Sequence, residues 1–431
     1  TLSARGVAAK KPGRDDLEQF MRGLSDPFHP STNPAGYLVL LVAENKLSWP
    51  LLKAKMEKVG EIPDWVSGYG DLRGEDNFRT QVAKMMEKSF IGAPVDKECI
   101  VAQAGAGSLI DTLCWCVAEE GDVCIIPAPM YSAFQNDLYA RARIRMKVAH
   151  TKHPEYKITR EVLEESYQSS MKEGGTPKIL LICNPCNPTG LIYDEETLEM
   201  CVRWCAEKNM HFISDEIYGN SIFPDVKFTS VAKVCRRLNA GPSKGSDESN
   251  YLGNQVHIVS GFSKDFGISG MRVGTLFSHN RDLLSAANNL TYFQAVSNHT
   301  QWILSQCLAD EQFLQNYISD VQRRLYVCYK GLEEALAAID VPLTPAQGTL
   351  MAWADFRKYL PELTWEGEKQ LWLELFDKAK ILFTTGKSCQ SEVPGFFRIC
   401  YAWPKATDED PAIAMKELKS RLIKHFAGAK K

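Results

Sequence analysis

The middle of the chain alternates short, apolar runs rich in β-branched residues with longer amphipathic stretches. Four of the short runs predict strands, and each is followed by a turn: 123–126, 179–183, 211–214 and 256–260. Between them, 161–171 and 195–207 carry the helical period, and Thr159 stands where the cap of the first helix belongs. Alternating strands and helices predict an α/β fold, in which a mostly parallel sheet is flanked by helices.

The pattern changes near residue 310 and becomes mostly helical, over 312–339, 366–380 and 411–426, with one β-rich segment at 396–401. This change predicts a large domain over residues 61–310 and a smaller α/β domain over residues 311–431, which the N-terminal residues 1–60 join. The segment 236–255 is rich in Asn, Gly, Ser and Lys and has no hydrophobic period, so we interpret it as a surface excursion.

Composition excludes several classes of partner. The net charge is -3 with dispersed Lys and Arg, so neither nucleic acid nor a membrane surface is expected. No apolar run reaches the roughly 18 residues of a membrane span. The thirteen cysteines have no repeating spacing, which favours buried, reduced thiols, a cytoplasmic location and no metal site. The chain begins at Thr1 and not at Met, so an upstream targeting segment stays open.

Three polar motifs stand where predicted strands end: NPCNPTG at 184–190, DEIY at 215–218 and SKDFGISGMRVG at 263–274. Open parallel sheets bind ligands at the carboxyl ends of their strands, so these motifs predict one shared site. The small-residue turn AGAGS at 104–108 opens a predicted helix, whose free N–H groups suit a phosphate. It is not a dinucleotide fingerprint, because the third glycine is absent.

Together with VAENKLSW at 42–49 and PGFFRICYA at 394–402, these motifs resemble the class I/II aminotransferases over nearly the whole chain. Within this family of fold-type I enzymes, the chain is most similar to the group around 1-aminocyclopropane-1-carboxylate (ACC) synthase. The resemblance implies pyridoxal 5'-phosphate (PLP) as the cofactor, an amino acid as the substrate, a role in amino-acid metabolism or biosynthesis, and a homodimer.

Two features depart from the family pattern. Gly261 stands three residues before the motif lysine, where many relatives carry a serine that touches the phosphate. The turn YGDLRGEDNFR, which begins at Tyr69, has the general aminotransferase form, whereas ACC synthases have a shorter turn. The second departure weakens the specific assignment to ACC synthase and leaves the cofactor assignment untouched.

The resemblance assigns catalytic roles to Lys264, Asp215 and Tyr218. Lys264 holds PLP as a Schiff base and then carries a proton at the substrate Cα. Asp215 pairs with the pyridine nitrogen, and Tyr218 and Asn187 hydrogen-bond the phenolic oxygen. From the residues alone, Asp215 could instead cap a helix and Asn187 could be a turn residue.

The remaining cofactor contacts follow from the same resemblance. The set implied around the phosphate comprises Gly105, Ala106, Gly107, Ser108, Ser263 and Arg272. Tyr69 matches the tyrosine that reaches the phosphate of the partner subunit, so each site would need two chains. Tyr131 would stack on the cofactor ring, although a core position is the alternative.

The predicted substrate contacts are Arg398, Asn187 and Glu44. Arg398 would hold the α-carboxylate with two hydrogen bonds, and an arginine within an apolar strand needs an anionic partner in any case. Glu44 stands near the expected entrance and is either a substrate contact or a structural carboxylate.

Three functions stay open. The first is transamination to a 2-oxo acid. The second is α,γ-elimination or cyclisation of a substrate with a γ leaving group, such as S-adenosylmethionine, and Glu44 favours it. The third is a PLP-binding protein without turnover, against which the complete catalytic and binding set argues.

Overall fold

The computed structural model describes residues 1–10, 16–239, 252–402 and 410–427. The described residues form these strands: β1 (Leu38–Val39), β2 (Ile100–Gln103), β3 (Val123–Ala128), β4 (Arg145–His150), β5 (Pro177–Cys183), β6 (His211–Asp215), β7 (Val256–Gly261), β8 (Gly274–Ser278), β9 (Met351–Asp355), β10 (Ile381–Leu382), β11 (Thr384–Thr385) and β12 (Phe396–Cys400). They form these α-helices: α1 (Ala4–Ala8), α2 (Leu17–Ser25), α3 (Trp49–Met56), α4 (Asp76–Met86), α5 (Ala106–Val117), α6 (Phe134–Tyr139), α7 (Arg160–Lys172), α8 (Glu195–Glu207), α9 (Val231–Asn239), α10 (Arg281–Leu290), α11 (Asn298–Ala309), α12 (Glu311–Ala337), α13 (Trp365–Ala379) and α14 (Ile413–Phe426).

Seven strands build the central sheet in the order β2-β8-β7-β6-β5-β3-β4. β8 is antiparallel to both of its neighbours, and the other adjacent pairs are parallel. Every residue of β3, β7 and β8 is buried, because helices cover both faces of the sheet. The predicted α/β class with a mostly parallel sheet is confirmed.

The elements predicted from periodicity agree with most of the observed ones. All four predicted strands lie within β3, β5, β6 and β7, and α8 has the predicted bounds. Thr159 caps α7 by accepting a hydrogen bond from the N–H of Val162. The surface excursion predicted over 236–255 is wrong at its start, because residues 236–239 belong to α9, and residues 240–251 lie outside the described ranges.

A smaller antiparallel sheet has the order β11-β12-β9, and β1 pairs in parallel with β10. The second pairing brings the N-terminal part of the chain against the C-terminal part, which supports the predicted association of residues 1–60 with the region after 310. The domain boundaries themselves stay a prediction. None of the helices in the described ranges combines the length and apolar character that a membrane-spanning segment needs.

The sheet topology brings the polar motifs to one edge. Cys183 at the end of β5 pairs with Asp215 at the end of β6, and Asp215 pairs with Val259 of β7. β2 runs in the direction of β7, since both are antiparallel to β8, and α5 begins just after β2. The motif-bearing turns therefore follow the carboxyl ends of neighbouring parallel strands, where a ligand site is expected.

Candidate active site

Asp215 is a buried carboxylate at the end of β6. One of its oxygens accepts a hydrogen bond of 3.2 Å from the N–H of Ile217. Burial raises the pKa of Asp215 to about 7, while the bond from Ile217 and the positive charge of Lys264 act in the opposite direction. The thiol of Cys183 is a second, weak donor to this carboxylate. A buried carboxylate with only weak donors is stabilised by a cationic partner, such as a protonated ring nitrogen.

The amine of Lys264 donates a hydrogen bond of 2.6 Å to the carbonyl oxygen of Ala43. Burial lowers the pKa of this amine below its ordinary value, and the carboxylates of Glu44 and Asp215 partly oppose that shift. A lowered pKa increases the neutral fraction of the amine, which is the form that acts as a nucleophile or a base.

Asn187 connects the buried residues Tyr218 and Arg398. Its amide nitrogen donates to the phenolic oxygen of Tyr218 over 3.5 Å, and its amide oxygen accepts from Nη1 of Arg398 over 3.1 Å. Burial raises the pKa of Tyr218 well above its ordinary value, so the phenol keeps its proton near neutral pH. The structure thus brings together three residues that the sequence placed on separate motifs.

Arg398 projects from β12 into this cluster and is buried, with a relative exposure of 5%. Nη2 donates to the carbonyl oxygen of Leu41 over 2.6 Å and to the hydroxyl of Thr384 over 3.0 Å. Nε is buried without a hydrogen-bond partner in the described part of the chain. Because neutral oxygens alone compensate this charge, the guanidinium fits an incoming carboxylate.

The start of α5 and Arg272 form a cradle of small residues and positive charge. Gly105 has φ +100°, and a Cβ at this position would lie 2.4 Å from Nη2 of Arg272. The guanidinium donates to the carbonyl oxygens of Ser269 over 2.8 Å and Ala104 over 3.2 Å. The first N–H groups of a helix have no partner within it, so those of Ala106 and Gly107 can bind an anion here.

The other predicted phosphate contacts differ in their surroundings. The hydroxyl of Ser108 donates to the carbonyl oxygen of Ala104 over 2.9 Å, and Ser263 is buried beside Lys264. Gly261 has no space for the serine of many relatives, because a Cβ would lie 2.6 Å from the carbonyl oxygen of Val273. Packing between β7 and β8 therefore explains the glycine.

The two predicted aromatic contacts lie in different environments. Tyr131 is half-buried, and its ring meets that of Phe134 edge-on at 5.2 Å between centroids. Tyr69 is fully exposed, in a loop whose Gly68 carbonyl accepts a hydrogen bond of 2.7 Å from Asn298. An exposed tyrosine in an ordered loop is available to a second chain.

Glu44 has partners for both of its oxygens. Oε1 accepts a hydrogen bond of 2.5 Å from the hydroxyl of Ser269, and Oε2 lies 2.8 Å from Nζ of Lys46. Burial alone would raise the pKa of Glu44, but the bonds from Lys46 and Ser269 hold it below its ordinary value. Glu44 is therefore ionised at neutral pH, with its charge compensated by a neighbouring lysine.

Sequence reasoning missed the buried carboxylate of Asp265, which follows Lys264 directly. It accepts hydrogen bonds from the N–H of Asn220 over 2.9 Å and from the hydroxyl of Ser221 over 2.6 Å. These bonds fasten the Lys264 segment to the loop after Tyr218. Asp265 lies inside the motif at 263–274, directly after the lysine, and this position was the available signal, but its partners depend on how two loops meet in space.

The sequence model of the family "Aminotransferase class I and II" matches residues 40–416. The chain belongs to this family. Members of the class I and II aminotransferases depend on PLP, so the protein is a PLP-dependent enzyme.

The curated relatives of the chain include ACC synthase 11 of Arabidopsis thaliana, which is 31% identical over 94% of the chain and 88% of the relative. ACC synthase 2 of Solanum lycopersicum is also 31% identical, over 94% and 83%. Among solved structures, aspartate aminotransferase from Thermus thermophilus has a TM-score of 0.80 at 17% identity, and the match covers 99% of both chains. The structural likeness supports the fold-type I architecture.

Three observations show that the residues of this site suit PLP. Asp215 is a buried carboxylate that lacks a cationic partner at hydrogen-bond distance among the described residues. The space beside Gly105 is one that a Cβ would fill, next to the Arg272 guanidinium. Lys264 presents a desolvated amine, which interacts electrostatically with Asp215. A cationic ring nitrogen, a phosphate and an aldehyde match these three positions in chemical character.

Proposed function

We propose that the protein is an aminotransferase, which moves the amino group of an amino acid to a 2-oxo acid. The observation that carries this proposal is the compensated state of Glu44, whose two oxygens are bound by Ser269 and Lys46. A substrate with a positively charged γ leaving group would gain most from an uncompensated carboxylate at this place. An ordinary amino acid needs no such charge.

When bound, PLP supplies the electron sink that allows a bond at Cα to break. Asp215 would keep the ring nitrogen protonated, and Tyr218 and Asn187 would hydrogen-bond the phenolic oxygen. The amine of Lys264 would hold the cofactor and would move a proton at the substrate Cα. Its lowered pKa increases the fraction of the neutral, proton-accepting form.

Binding and orientation belong to the other residues. Arg398 binds the α-carboxylate, with Asn187 fixing the plane of the guanidinium. The phosphate is held by the N-terminal turn of α5 and by side chains around it: Gly105, Ala106, Gly107, Ser108, Ser263 and Arg272. Tyr131 would pack against the cofactor ring and exclude water from it.

The proposal includes a homodimer in the cytoplasm, in which Tyr69 reaches the site of the partner. The full exposure of Tyr69 supports this arrangement. The proposed division into 61–310, which carries the cofactor, and 311–431 with 1–60 places Arg398 on the smaller part.

A panel of amino acids tests the proposal, each supplied to the PLP-loaded enzyme with 2-oxoglutarate or pyruvate. Mass spectrometry should detect the 2-oxo acid of at least one donor, and Lys264→Ala should form none. Absence of keto acid across the panel, with release of methylthioadenosine from S-adenosylmethionine, would contradict transamination.

The second candidate is an α,γ-elimination or cyclisation of the ACC synthase kind. Identity of about 30% with several ACC synthases over most of the chain favours it. The same mass-spectrometric measurement distinguishes it, because S-adenosylmethionine would then yield methylthioadenosine and a cyclopropane product in the wild type and not in Lys264→Ala.

A further inference from the structure

We infer that Lys46 is a specificity-determining residue, which cancels the charge of Glu44 and so makes the site indifferent to a positive charge on the substrate side chain. The inference rests on the proposed function in taking an amino acid as the ligand. It adds the class of side chain: neutral or anionic groups are accepted, and sulfonium or ammonium groups gain no extra affinity.

The ion pair is well defined and only partly exposed. Nζ of Lys46 lies 2.8 Å from Oε2 of Glu44, and the two side chains are 39% and 23% exposed. The backbone N–H of Lys46 donates to the carbonyl oxygen of Ala402 over 2.9 Å, and this bond holds the backbone of Lys46 in place. With Ser269 on the other oxygen, neither oxygen of Glu44 is left without a donor.

The segment that carries the pair borders the site on several sides. The carbonyl oxygen of Leu41 accepts from Arg398 over 2.6 Å, and that of Ala43 accepts from Lys264 over 2.6 Å. Ser269, which binds Glu44, also accepts from Arg272 through its carbonyl oxygen over 2.8 Å. The pair therefore adjoins the residues that would hold the substrate carboxylate, the cofactor aldehyde and the cofactor phosphate.

The charges of Glu44 and Lys46 determine how this pair acts on a charged substrate side chain. A lone carboxylate at this wall would attract a cationic side chain and repel an anionic one, and the partial burial would strengthen both effects. A carboxylate with a lysine at 2.8 Å presents a dipole instead of a net charge, whose field decreases faster with distance. The substitution Lys46→Gln restores the lone carboxylate while it keeps a side chain that can donate a hydrogen bond.

The test uses two ligands of nearly equal shape, L-methionine and the sulfonium S-methyl-L-methionine. Dissociation constants are measured by the change in cofactor absorbance, with the PLP-loaded wild type, Lys46→Gln, Glu44→Gln and the double variant. The affinity ratio of the two ligands should be near unity in the wild type. Lys46→Gln should shift it toward the sulfonium by up to about fivefold, the size of one partly exposed charge interaction.

The double variant is the matched control, because it lacks the carboxylate that Lys46→Gln exposes. Its ratio should return to the wild-type value. A shift of less than twofold in Lys46→Gln, a shift that persists in the double variant, or no binding of either ligand to any of the four proteins overturns the inference. Near-wild-type cofactor absorbance and melting temperature establish that each variant is folded.

Failure of the proposed function gives a different result. If methionine binds and no donor forms a 2-oxo acid, transamination is contradicted. The affinity ratio of the two ligands still reports the charge of the Glu44–Lys46 pair. If 2-oxo acids form and the ratio does not respond to Lys46→Gln, the aminotransferase assignment stands and the role of Lys46 is wrong.

Discussion

The guanidinium of Arg398 donates to the amide oxygen of Asn187 over 3.1 Å, and so joins β12 of the smaller sheet to the loop after β5 of the central sheet. The same amide donates to the hydroxyl of Tyr218. Arg398, the proposed substrate contact, and Tyr218, a proposed cofactor contact, therefore share a single amide.

Arg398→Lys should raise KM for the amino-acid donor and lower kcat/KM by at least about 30-fold, because an ammonium cannot replace a planar, two-pronged guanidinium. Steady-state kinetics with the preferred donor measure it. Thr384→Val is the matched control, since it removes one hydrogen bond to the arginine and leaves the charge. Equal losses in the two variants would mean that Arg398 acts only through packing.

Gly105→Ala should weaken PLP binding by about tenfold or more. The backbone at Gly105 has φ +100° and ψ 165°, a conformation that costs other residues about 1–3 kcal/mol, and the new Cβ would meet Arg272. Equilibrium dialysis of PLP against the two proteins measures the loss. In Gly107→Ala the Cβ comes no closer than 3.6 Å to a neighbour, so cofactor affinity should be nearly retained. The opposite order would remove Gly105 from the cradle.

Stability should fall as pH rises, partly because of Glu216. Burial raises its pKa to about 7, and its Oε2 has no partner among the described residues. The unfolded carboxyl titrates near about 4.3, so the contribution is complete below that pH and is lost as pH rises toward 7, at up to about 1.4 kcal/mol per pH unit. Glu216→Gln should therefore be more stable than the wild type at about pH 8 and gain much less at about pH 5.

Urea unfolding at the two pH values, at equal cofactor saturation, measures this difference. The control is Glu368→Gln, because both oxygens of Glu368 accept from backbone N–H groups, those of Lys387 over 2.9 Å and Gly395 over 2.7 Å. An amide can satisfy only one of them, so this variant should lose stability at both pH values. A Glu216→Gln protein that is less stable at the higher pH would contradict the role of its charge.

Mixing two inactive proteins tests the partner role of Tyr69. Lys264→Ala lacks the lysine and Tyr69→Ala lacks the side chain proposed to cross the interface, so a mixed dimer contains one site with both wild-type residues. Co-expression of the two chains should restore keto-acid formation. Mixing Lys264→Ala with Asp215→Ala should not, since both residues belong to the same chain's site. Activity in neither mixture, with dimers present, would place Tyr69 outside the partner's site.

The sequence predicted the buried strands and the motifs, and it missed what depends on contact between distant segments. β3, β5, β6 and β7 were found because burial on both faces leaves continuous apolar runs. β4, at the edge of the sheet with exposed and half-buried residues, has no such run and was missed. The carbonyl oxygens of Leu41 and Ala43 were also missed, since a backbone acceptor leaves no mark on residue type.

The reversed direction of β8 has a mechanical consequence. Because β7 and β8 are antiparallel neighbours, the connection between them leaves the sheet and returns to the same edge within twelve residues, carrying Lys264 near its start and Arg272 near its end. A ligand that binds both residues is attached to one hairpin at two points. If that hairpin moves, the ligand moves with it, so the orientation of the ligand relative to Lys264 is preserved.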